Sequence, residues 1–274
     1  MRLISICPSN TELLTYLGLE SSLIAVDDYS DWPESVKQLP RLGPDLSIDM
    51  DKVEQLEPDL VLASLSVPGM EKNIDELTRR NIPHIVLNPQ SLEDIANDLL
   101  LVGEHTGETL KAAEVSERYL RFISTYKKIS SEILDKPTFY WEWWPKPIFS
   151  PGGINWLTEV STLAGARNIF EHKKVASYQT DWEEVQLLNP DYIGLVWVGI
   201  DQDKMKPELV KKRSGTDSIN AIVHNRIYVL DEPLYCRPSP RLLLGLKKLG
   251  ALIHPSHYPP NDGRDPLLED ITND

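Results

Sequence analysis

One short pattern occurs twice in this chain and sets the expected architecture. It reads DKVEQLEPDLV at residues 51–61 and EEVQLLNPDYI at residues 183–193. Both copies begin with an acid, place Val third and Leu sixth, and run through Pro-Asp into an apolar stretch. Val and Leu three positions apart lie on one side of a helix, and the proline ends that helix. Each copy therefore predicts a short helix followed by a buried strand.

Apolar runs and helical patterns alternate on either side of both copies. RLISIC, LIAV and HIVLN in the first half, and PTFYWEWW, DYIGLVWVGI and RIYVLDE in the second, have the composition of strands. SNTELLTYLGL after the first run predicts a helix, with Ser9, Asn10 or Thr11 as its cap. Such β-α-β alternation with short connections predicts mainly parallel sheets flanked by helices.

A long segment between the halves contains neither proline nor glycine. In residues 108–133, apolar side chains recur at intervals of three and four, which predicts one continuous helix. About 26 residues at ~1.5 Å each give ~40 Å. We expect two similar α/β lobes joined by this rigid helix, with a ligand cleft between them at the carboxyl ends of the strands. The expected segments are 1–105 (N-terminal lobe), 106–135 (linking helix), 136–255 (C-terminal lobe) and 256–274 (flexible tail).

The composition excludes several classes of partner. The formal net charge is -14, and 41% of the 274 residues are hydrophobic, as in ordinary globular proteins. Nucleic-acid binding depends on Lys and Arg that neutralise phosphates, so no nucleic-acid partner is expected. An acidic chain is also disfavoured at anionic membrane surfaces, but it suits a basic patch on a partner protein.

The start of the chain, MRLISICPSN, lacks a basic region followed by a long apolar core and a cleavage site. No apolar run approaches the ~18 residues that a membrane span requires. The sequence as written therefore predicts a soluble protein that is cytoplasmic if no leader was removed.

Aromatic side chains mark the loops expected after the strands. Tyr29 follows the second strand, and Trp143 and Trp144 end the WEWW run. These tryptophans either complete a core strand or stack on a flat ligand. Cys7 and Cys236 fall on loops of the same kind, as small buried hydrophobes or as soft ligands to a bound metal complex.

Catalytic and metal-binding patterns are not found in the sequence. The six histidines are scattered, and the cysteines are too far apart for a local metal cluster, so no metal site is expected. G-x-S-x-G, P-loop, G-x-G-x-x-G and H-E-x-x-H motifs do not occur. Glu142 beside Trp143 is the one candidate general acid, and nothing else converges on it. We therefore expect no enzymatic activity and no catalytic residue.

Several segments together resemble the helical-backbone substrate-binding proteins of ABC importers, which bind cobalamin, haem and ferric siderophores. The nearest subgroup binds cobalamin. The match extends over nearly all of residues 1–253. The segments that carry it are CPSNTELLTYLG (7–18), DDYSDWP (27–33), DKVEQLEPDLVLA (51–63), SPGG (150–153), LTEVSTLAGARNIF (157–170), EEVQLLNPD (183–191) and YVLDEPLYCRPSPRLLLGLKKL (228–249).

The resemblance implies a set of ligand contacts. Two tryptophans of the cobalamin-binding relatives are replaced, one by Asp45 and the other by Ser177, and Cys7 stands where the family usually has serine. Trp144 is expected to compensate for the lost rings. The residues expected to contact the ligand are Ser9, Asn10, Tyr29, Trp143, Trp144, Tyr178, Tyr235 and Arg237.

The resemblance also gives the repeated acids a function. In the family, one acid of each lobe docks onto arginines of the permease dimer, and here these are Asp51 and Glu183. An acid in the first turn of a helix is also favoured by the helix dipole, and Thr180 with Glu183 fits a capping box. The expected ligand is cobalamin or a related corrinoid. The alternatives are haem, a ferric siderophore, or a corrinoid bound by an unexported scavenging protein, since family members normally act outside the cytoplasmic membrane.

Overall fold

The computed structural model describes residues 1–200 and 202–268. The chain divides into two compact units. Within the described residues, unit 1 comprises 1–120 and 238–240, and unit 2 comprises 121–237 and 241–268. No helix of the described residues is long and apolar enough to cross a bilayer.

Unit 1 is a four-stranded parallel sheet in the order β2-β1-β3-β4, flanked by helices, as predicted. Its elements are β1 (Leu3–Ser5), α1 (Pro8–Tyr16), β2 (Leu23–Val26), α2 (Met50–Gln55), β3 (Leu60–Ser64), α3 (Glu71–Arg79), β4 (His84–Leu87), α4 (Leu92–Thr106) and the start of α5 (Thr109–Glu132).

The helix α5 matches the long predicted helix to within a residue at each end. The boundary between the units falls inside it. In its first part, Ser116 Oγ donates to Ala96 O at 3.3 Å. In its second part, Ser130 Oγ donates to Thr162 O. Each part is therefore bonded to a helix of its own unit.

Unit 2 holds two sheets. The larger is parallel, in the order β11-β10-β5-β8, and the smaller is antiparallel, in the order β6-β7-β9. The prediction of mainly parallel sheets is confirmed, and the small antiparallel sheet is an addition to it. The elements are β5 (Thr138–Glu142), β6 (Trp144–Pro145), β7 (Ile148–Pro151), α6 (Trp156–Leu163), β8 (Arg167–Asn168), β9 (Ser177–Thr180), α7 (Trp182–Leu188), β10 (Tyr192–Leu195), α8 (Pro207–Lys211), α9 (Asn220–Val223), β11 (Ile227–Val229) and α10 (Leu242–Ile253).

The first helix begins earlier than the sequence predicts. Its N-cap residue is Cys7, whose side chain makes no capping bond, and Pro8 occupies the first helical position, where its missing N–H has no consequence. The expected caps Ser9, Asn10 and Thr11 are wrong, because all three lie inside α1. Their side chains are buried, and those of Asn10 and Thr11 bond to Ala63 of β3 and Ser5 of β1.

The repeated pattern forms the same local structure in both units. Asp49 caps α2 by accepting the N–H of Lys52, and Asp181 caps α7 by accepting the N–H of Glu184. The predicted capping box of Thr180 and Glu183 is therefore wrong. The true cap lies one residue later, and Thr180 Oγ1 donates instead to the Glu184 carboxylate.

The two acids of the repeat consequently occupy the same helical position. Asp51 and Glu183 are each the second residue of a helix that an aspartate caps. A negative charge in the first turn of a helix is favoured by the helix dipole.

The Pro-Asp step of each copy ties two strands together at their start. Asp59 Oδ2 accepts the N–H of Arg2 at 2.6 Å, and Asp191 Oδ2 accepts the N–H of Thr138 at 2.8 Å. The bonded strands are neighbours, since β1 pairs with β3 and β5 pairs with β10. Each aspartate thus satisfies a backbone donor where the adjacent strand begins.

The segment after residue 255 was expected to be a flexible tail. Its part up to Leu268 is packed on unit 2: Tyr258 is 3% exposed and donates its hydroxyl to Leu163 O, and Lys247 Nζ lies 2.7 Å from Asp262 Oδ1. A buried aromatic ring in a polar stretch anchors the chain there. The rest of the expected tail, 269–274, lies outside the described residues.

The residue before each Pro-Asp step gives the first testable prediction. Glu57 and Asn189 both have a φ of 44°. Asn tolerates this left-handed conformation, whereas Glu does so at a cost. We expect Glu57→Gly to raise the free energy of unfolding by about 0.5–1 kcal/mol, as measured by urea denaturation. Gln55→Gly, inside α2, should lower it. An unchanged midpoint for Glu57→Gly would contradict the prediction.

The Asp191 carboxylate gives a prediction about pH. Burial acts to raise its pKa, but the hydrogen bonds from Thr138 and Asn220 outweigh burial, so the pKa lies below its ordinary value. A carboxyl group with a lowered folded pKa stabilises the fold above the unfolded pKa of ~3.9, and this contribution is lost as the pH falls through the folded value. Asp191→Asn should therefore reduce the free energy of unfolding at pH 7, by about 1 kcal/mol for the weakened hydrogen bonds, and by less as the pH falls below the unfolded pKa. The exposed Asp217→Asn is the control, and a loss at pH 7 that persists unchanged in acid would refute the explanation.

Candidate functional site

The Tyr29 loop of unit 1 presents an aromatic ring on a fixed backbone. The ring is 51% exposed. Beneath it, the buried Asp27 carboxylate accepts the N–H groups of Tyr29 and Ser30 at 2.7 and 3.1 Å. Arg41 Nη1 donates to Asp27 O and Ser30 O, both at 2.7 Å. The loop is thus held in place before any ligand arrives, which lowers the entropic cost of binding.

The expected contacts Ser9 and Asn10 lie on α1, which reaches this loop through Thr11 Oγ1 at 2.7 Å from Ser30 Oγ. Both are almost fully buried, at 4% and 2% exposure. Asn10 Nδ2 donates to Ala63 O at 3.0 Å, and Ser9 Oγ lies 3.3 Å from Cys7 Sγ. Burial raises the pKa of the Cys7 thiol, which favours the neutral form. These groups join α1 to β3, and Cys7 has the surroundings of a small buried hydrophobe.

The small antiparallel sheet of unit 2 carries an exposed aromatic face. Trp144 on β6 pairs with Phe149 on β7, and Phe149 pairs with Gln179 on β9. Residues directly opposite each other on neighbouring strands point to the same face. Trp144 is 38% exposed and Gln179 is also exposed, while Ile148 on the opposite face is buried. We call Trp144, Phe149 and Gln179 the aromatic platform.

Trp143 stands beside the platform and is half-buried. Its ring packs against Trp156 with centroids 5.9 Å apart, and its carbonyl oxygen accepts the N–H of Val198 at 3.2 Å. The indole N–H of Trp143 is buried and has no hydrogen-bond partner within residues 1–200 and 202–268. A buried donor without a partner is costly. This nitrogen is enclosed by protein atoms in the described structure.

Tyr178 lies on the face of the small sheet opposite to the platform. Its hydroxyl donates to Glu184 Oε2 at 2.9 Å, and Lys173 Nζ lies 4.4 Å from the ring centroid. The same carboxylate pairs with Lys173 at 3.0 Å. Tyr178 is thus part of a network that holds β9 against α7.

Tyr235 and Arg237 follow β11 and are mostly enclosed. Tyr235 is 1% exposed, its hydroxyl donates to Gly245 O at 2.9 Å, and burial raises its pKa. The Arg237 side chain is 11% exposed and lies 3.6 Å from Glu232 Oε2. In this arrangement Tyr235 is a core residue, and the charge of Arg237 is partly neutralised.

Glu142, the candidate general acid, is fully buried at the end of β5. Its carboxylate accepts bonds from Tyr140 Oη at 2.8 Å and from Trp197 Nε1 at 3.1 Å. Arg213 adds a bidentate ion pair, with Nη2 at 2.8 Å from Oε1. A carboxylate that is fully satisfied by protein donors has a structural role. No local pattern in the sequence indicates Arg213, which is 71 residues away from Glu142.

The two repeated acids are both exposed but differ in their partners. The Asp51 side chain is 75% exposed, and its Oδ1 lies 2.7 Å from Arg80 Nη1. Arg80 also contacts Glu54 at 2.7 Å and Glu76 at 3.3 Å. Glu183 makes no ion pair with any residue that the structure describes.

Across the described parts of the chain, no group of three or more His, Cys, Asp or Glu side chains is arranged to hold a metal ion. Four histidines lie within hydrogen-bond distance of backbone carbonyl oxygens: His254 Nε2, for example, lies 2.9 Å from Gly165 O.

Comparison with curated proteins finds relatives along almost the whole chain. An uncharacterised ABC transporter substrate-binding lipoprotein, YvrC of Bacillus subtilis (strain 168), is 31% identical over 268 residues, which cover 94% of this chain and 81% of the relative. A vitamin B12-binding protein of Yersinia pestis (strain Pestoides F) is 29% identical over 252 residues, covering 90% and 84% of the two chains.

Solved structures with the same fold bind different ligands. The periplasmic vitamin B12 binding protein BtuF of Vibrio cholerae matches with a TM-score of 0.76 at 21% identity, covering 91% of this chain and 95% of that one. IsdE of S. aureus, solved with heme, matches with a TM-score of 0.81 at 17% identity, covering 92% and 98%. At these identities the likeness shows the fold and leaves the ligand open.

A family model described as periplasmic binding protein matches residues 3–234, which is most of the chain. The two α/β units of this chain agree with this match. The curated relatives and the solved structures agree with it as well. The chain therefore belongs to the periplasmic binding protein family, among the substrate-binding proteins of ABC transporters.

Proposed function

We propose that this protein is the non-enzymatic substrate-binding component of an ABC importer and that its ligand is cobalamin or a related corrinoid. The observation that carries the proposal is the aromatic platform, in which the exposed Trp144 lies beside the half-buried Phe149 on a sheet whose other face is packed on the core. The vitamin B12-binding relative supports the same ligand class. Importer function places the protein on the outer side of the cytoplasmic membrane.

The chemistry of the exposed groups fits a large, flat and neutral ligand. Aromatic faces bind flat ring systems through burial of apolar surface, at roughly 25 cal/mol per Å². The exposed Gln179 amide offers hydrogen bonds to neutral amide substituents such as those of a corrinoid. An anionic siderophore needs cations, and Arg237 is already paired with Glu232.

A haem ligand is the second candidate, and one observation favours it. Tyr29 is exposed on a fixed loop, and a tyrosine oxygen is a known axial ligand of haem iron. The two ligands would therefore use different groups of the Tyr29 side chain. A corrinoid requires only its ring, whereas haem ligation requires its oxygen.

The first test is titration of the purified protein with cyanocobalamin, haemin and a ferric siderophore. Binding is measured by calorimetry and by visible absorbance. We expect one-to-one binding of cyanocobalamin, because its corrin ring can stack on the platform. Trp144→Ala and Phe149→Ala should each weaken it by about tenfold, in line with ~1–2 kcal/mol per stacked ring. Leu187→Ala, an exposed apolar residue of α7, should leave the affinity unchanged. If all variants bound cyanocobalamin with equal affinity, the platform would not be part of the binding site.

The second test separates the two ligands through Tyr29. For a corrinoid, Tyr29→Phe should keep the affinity within about twofold and Tyr29→Ala should lower it by about tenfold, because only stacking is lost. For haem, Tyr29→Phe should abolish the iron ligation and shift the Soret band. A haemin complex whose Soret band changes in Tyr29→Phe, with no cyanocobalamin binding, would replace the corrinoid proposal by the haem proposal.

We further propose that Asp51 and Glu183 contact the permease dimer. Their equivalent positions in the two helices support this, since helix capping alone requires only Asp49 and Asp181. Asp51→Ala with Glu183→Ala should reduce ligand uptake by at least tenfold in vesicles that hold the transporter, with ligand affinity unchanged. Glu54→Ala is the control, because Glu54 lies on the same helix and also contacts Arg80. Undiminished uptake by the double variant would refute the docking role.

A further inference from the structure

The buried carboxylate of Glu142 holds together two parts of unit 2 that the proposed function uses separately. On one side it bonds the segment 196–198 that follows β10. Trp197 Nε1 donates to the carboxylate oxygen Oε1 of Glu142 at 3.1 Å. The N–H of Val196 donates to the backbone carbonyl oxygen of Glu142, also at 3.1 Å. The N–H of Val198 then donates to Trp143 O at 3.2 Å. This segment therefore lies alongside Trp143, and Val198 is 43% exposed next to it.

On the other side the same carboxylate reaches α7 through Arg213. The guanidinium carbon of Arg213 lies 4.7 Å from the ring centroid of Trp182, the first residue of α7. Trp182 Nε1 donates to Ser214 O at 3.0 Å, and Gln186 Nε2 donates to the same oxygen. Two side chains of α7 thus rest on residues 213–214, and the next residue along the helix from Trp182 is Glu183.

The chain packs closely where α7 meets residues 213–215. Gly215 has a φ of 68°, and a Cβ atom there would lie 2.2 Å from Gln186 Nε2. The Arg213 side chain is itself only 18% exposed. A buried carboxylate that loses its cation is left uncompensated, and the surrounding structure must rearrange or admit water. Displacement of segment 196–198 should therefore disturb α7, and displacement of α7 should disturb segment 196–198.

We propose that the Glu142–Arg213 ion pair is a positioning element that joins the ligand-facing segment 196–198 to helix α7, so that ligand binding beside Trp143 alters the order of the helix that carries Glu183. The ligand part of this proposal rests on the proposed function. The structural connection does not, and it is testable without a ligand.

Hydrogen exchange of the ligand-free full chain tests the connection. Arg213→Met should speed amide exchange at least tenfold in both 196–198 and 182–188, because the shared anchor is lost. Glu142→Gln with Arg213→Met should recover part of the protection, since no unpaired charge remains. Arg226→Met is the matched control, because Arg226 lies 5.0 Å from the Tyr192 ring in the same unit but does not contact Glu142. Faster exchange in 196–198 alone, with α7 as in the wild type, would overturn the proposal.

A second arm adds saturating cyanocobalamin, and haemin in parallel. In the wild type and in Arg226→Met, the ligand should slow exchange in α7 severalfold. In the variant that combines Glu142→Gln with Arg213→Met, the ligand should still bind, with an affinity about tenfold weaker. It should no longer slow amide exchange in α7. Equal protection of α7 in the double variant would overturn the transmission. If neither probe binds the wild type, the ligand proposal fails, whereas the ligand-free arm still decides whether the ion pair joins the two elements.

Discussion

One aspartate carboxylate in each unit fixes where the central strands begin. Asp59 and Asp191 each accept the backbone N–H that precedes or starts the neighbouring strand, so two parallel strands are aligned at their amino ends. Parallel strands aligned at one end deliver their following loops at the other end in a defined place. The Tyr29 loop and the Trp143 segment emerge from sheets that are aligned in this way. The loops of each unit depend on this alignment of the central strands, and the repeated Pro-Asp step is the sequence pattern that encodes it.

The sequence predicted the regular parts of the fold because their signals are local. The short helix before each Pro-Asp, the parallel strands and the limits of α5 all follow from apolar spacing within a few residues. The small antiparallel sheet gave no such signal. Its strand β6 has only two residues, and Pro145 and Pro147 argue against a strand by composition. Its pairing is decided by Phe149 and Gln179, which no period of the sequence marks.

The sequence indicated loops that carry candidate residues, and the assignment of those residues to a ligand stays a prediction. A loop after a strand indicates where the backbone goes, and Tyr29 and Trp144, which follow β2 and β5, are indeed exposed. It does not indicate which side chains already have partners. Ser9, Asn10 and Tyr235 lie on such loops or beside them, yet burial and bonds within the protein occupy them. Glu142 looked isolated because its partners Trp197 and Arg213 are 55 and 71 residues away.

The partners of Arg80 give the two repeated acids unequal chemistry. An arginine arriving at Asp51 would meet the guanidinium of Arg80, which already lies 2.7 Å from Asp51 Oδ1 and also contacts Glu54 and Glu76. An arginine arriving at Glu183 would displace only solvent from the described surroundings of that side chain. The first event adds a second cation to a carboxylate that is already paired, whereas the second creates a new ion pair. Under the proposed docking, a transporter whose two halves present identical arginines would gain less free energy from Asp51 than from Glu183.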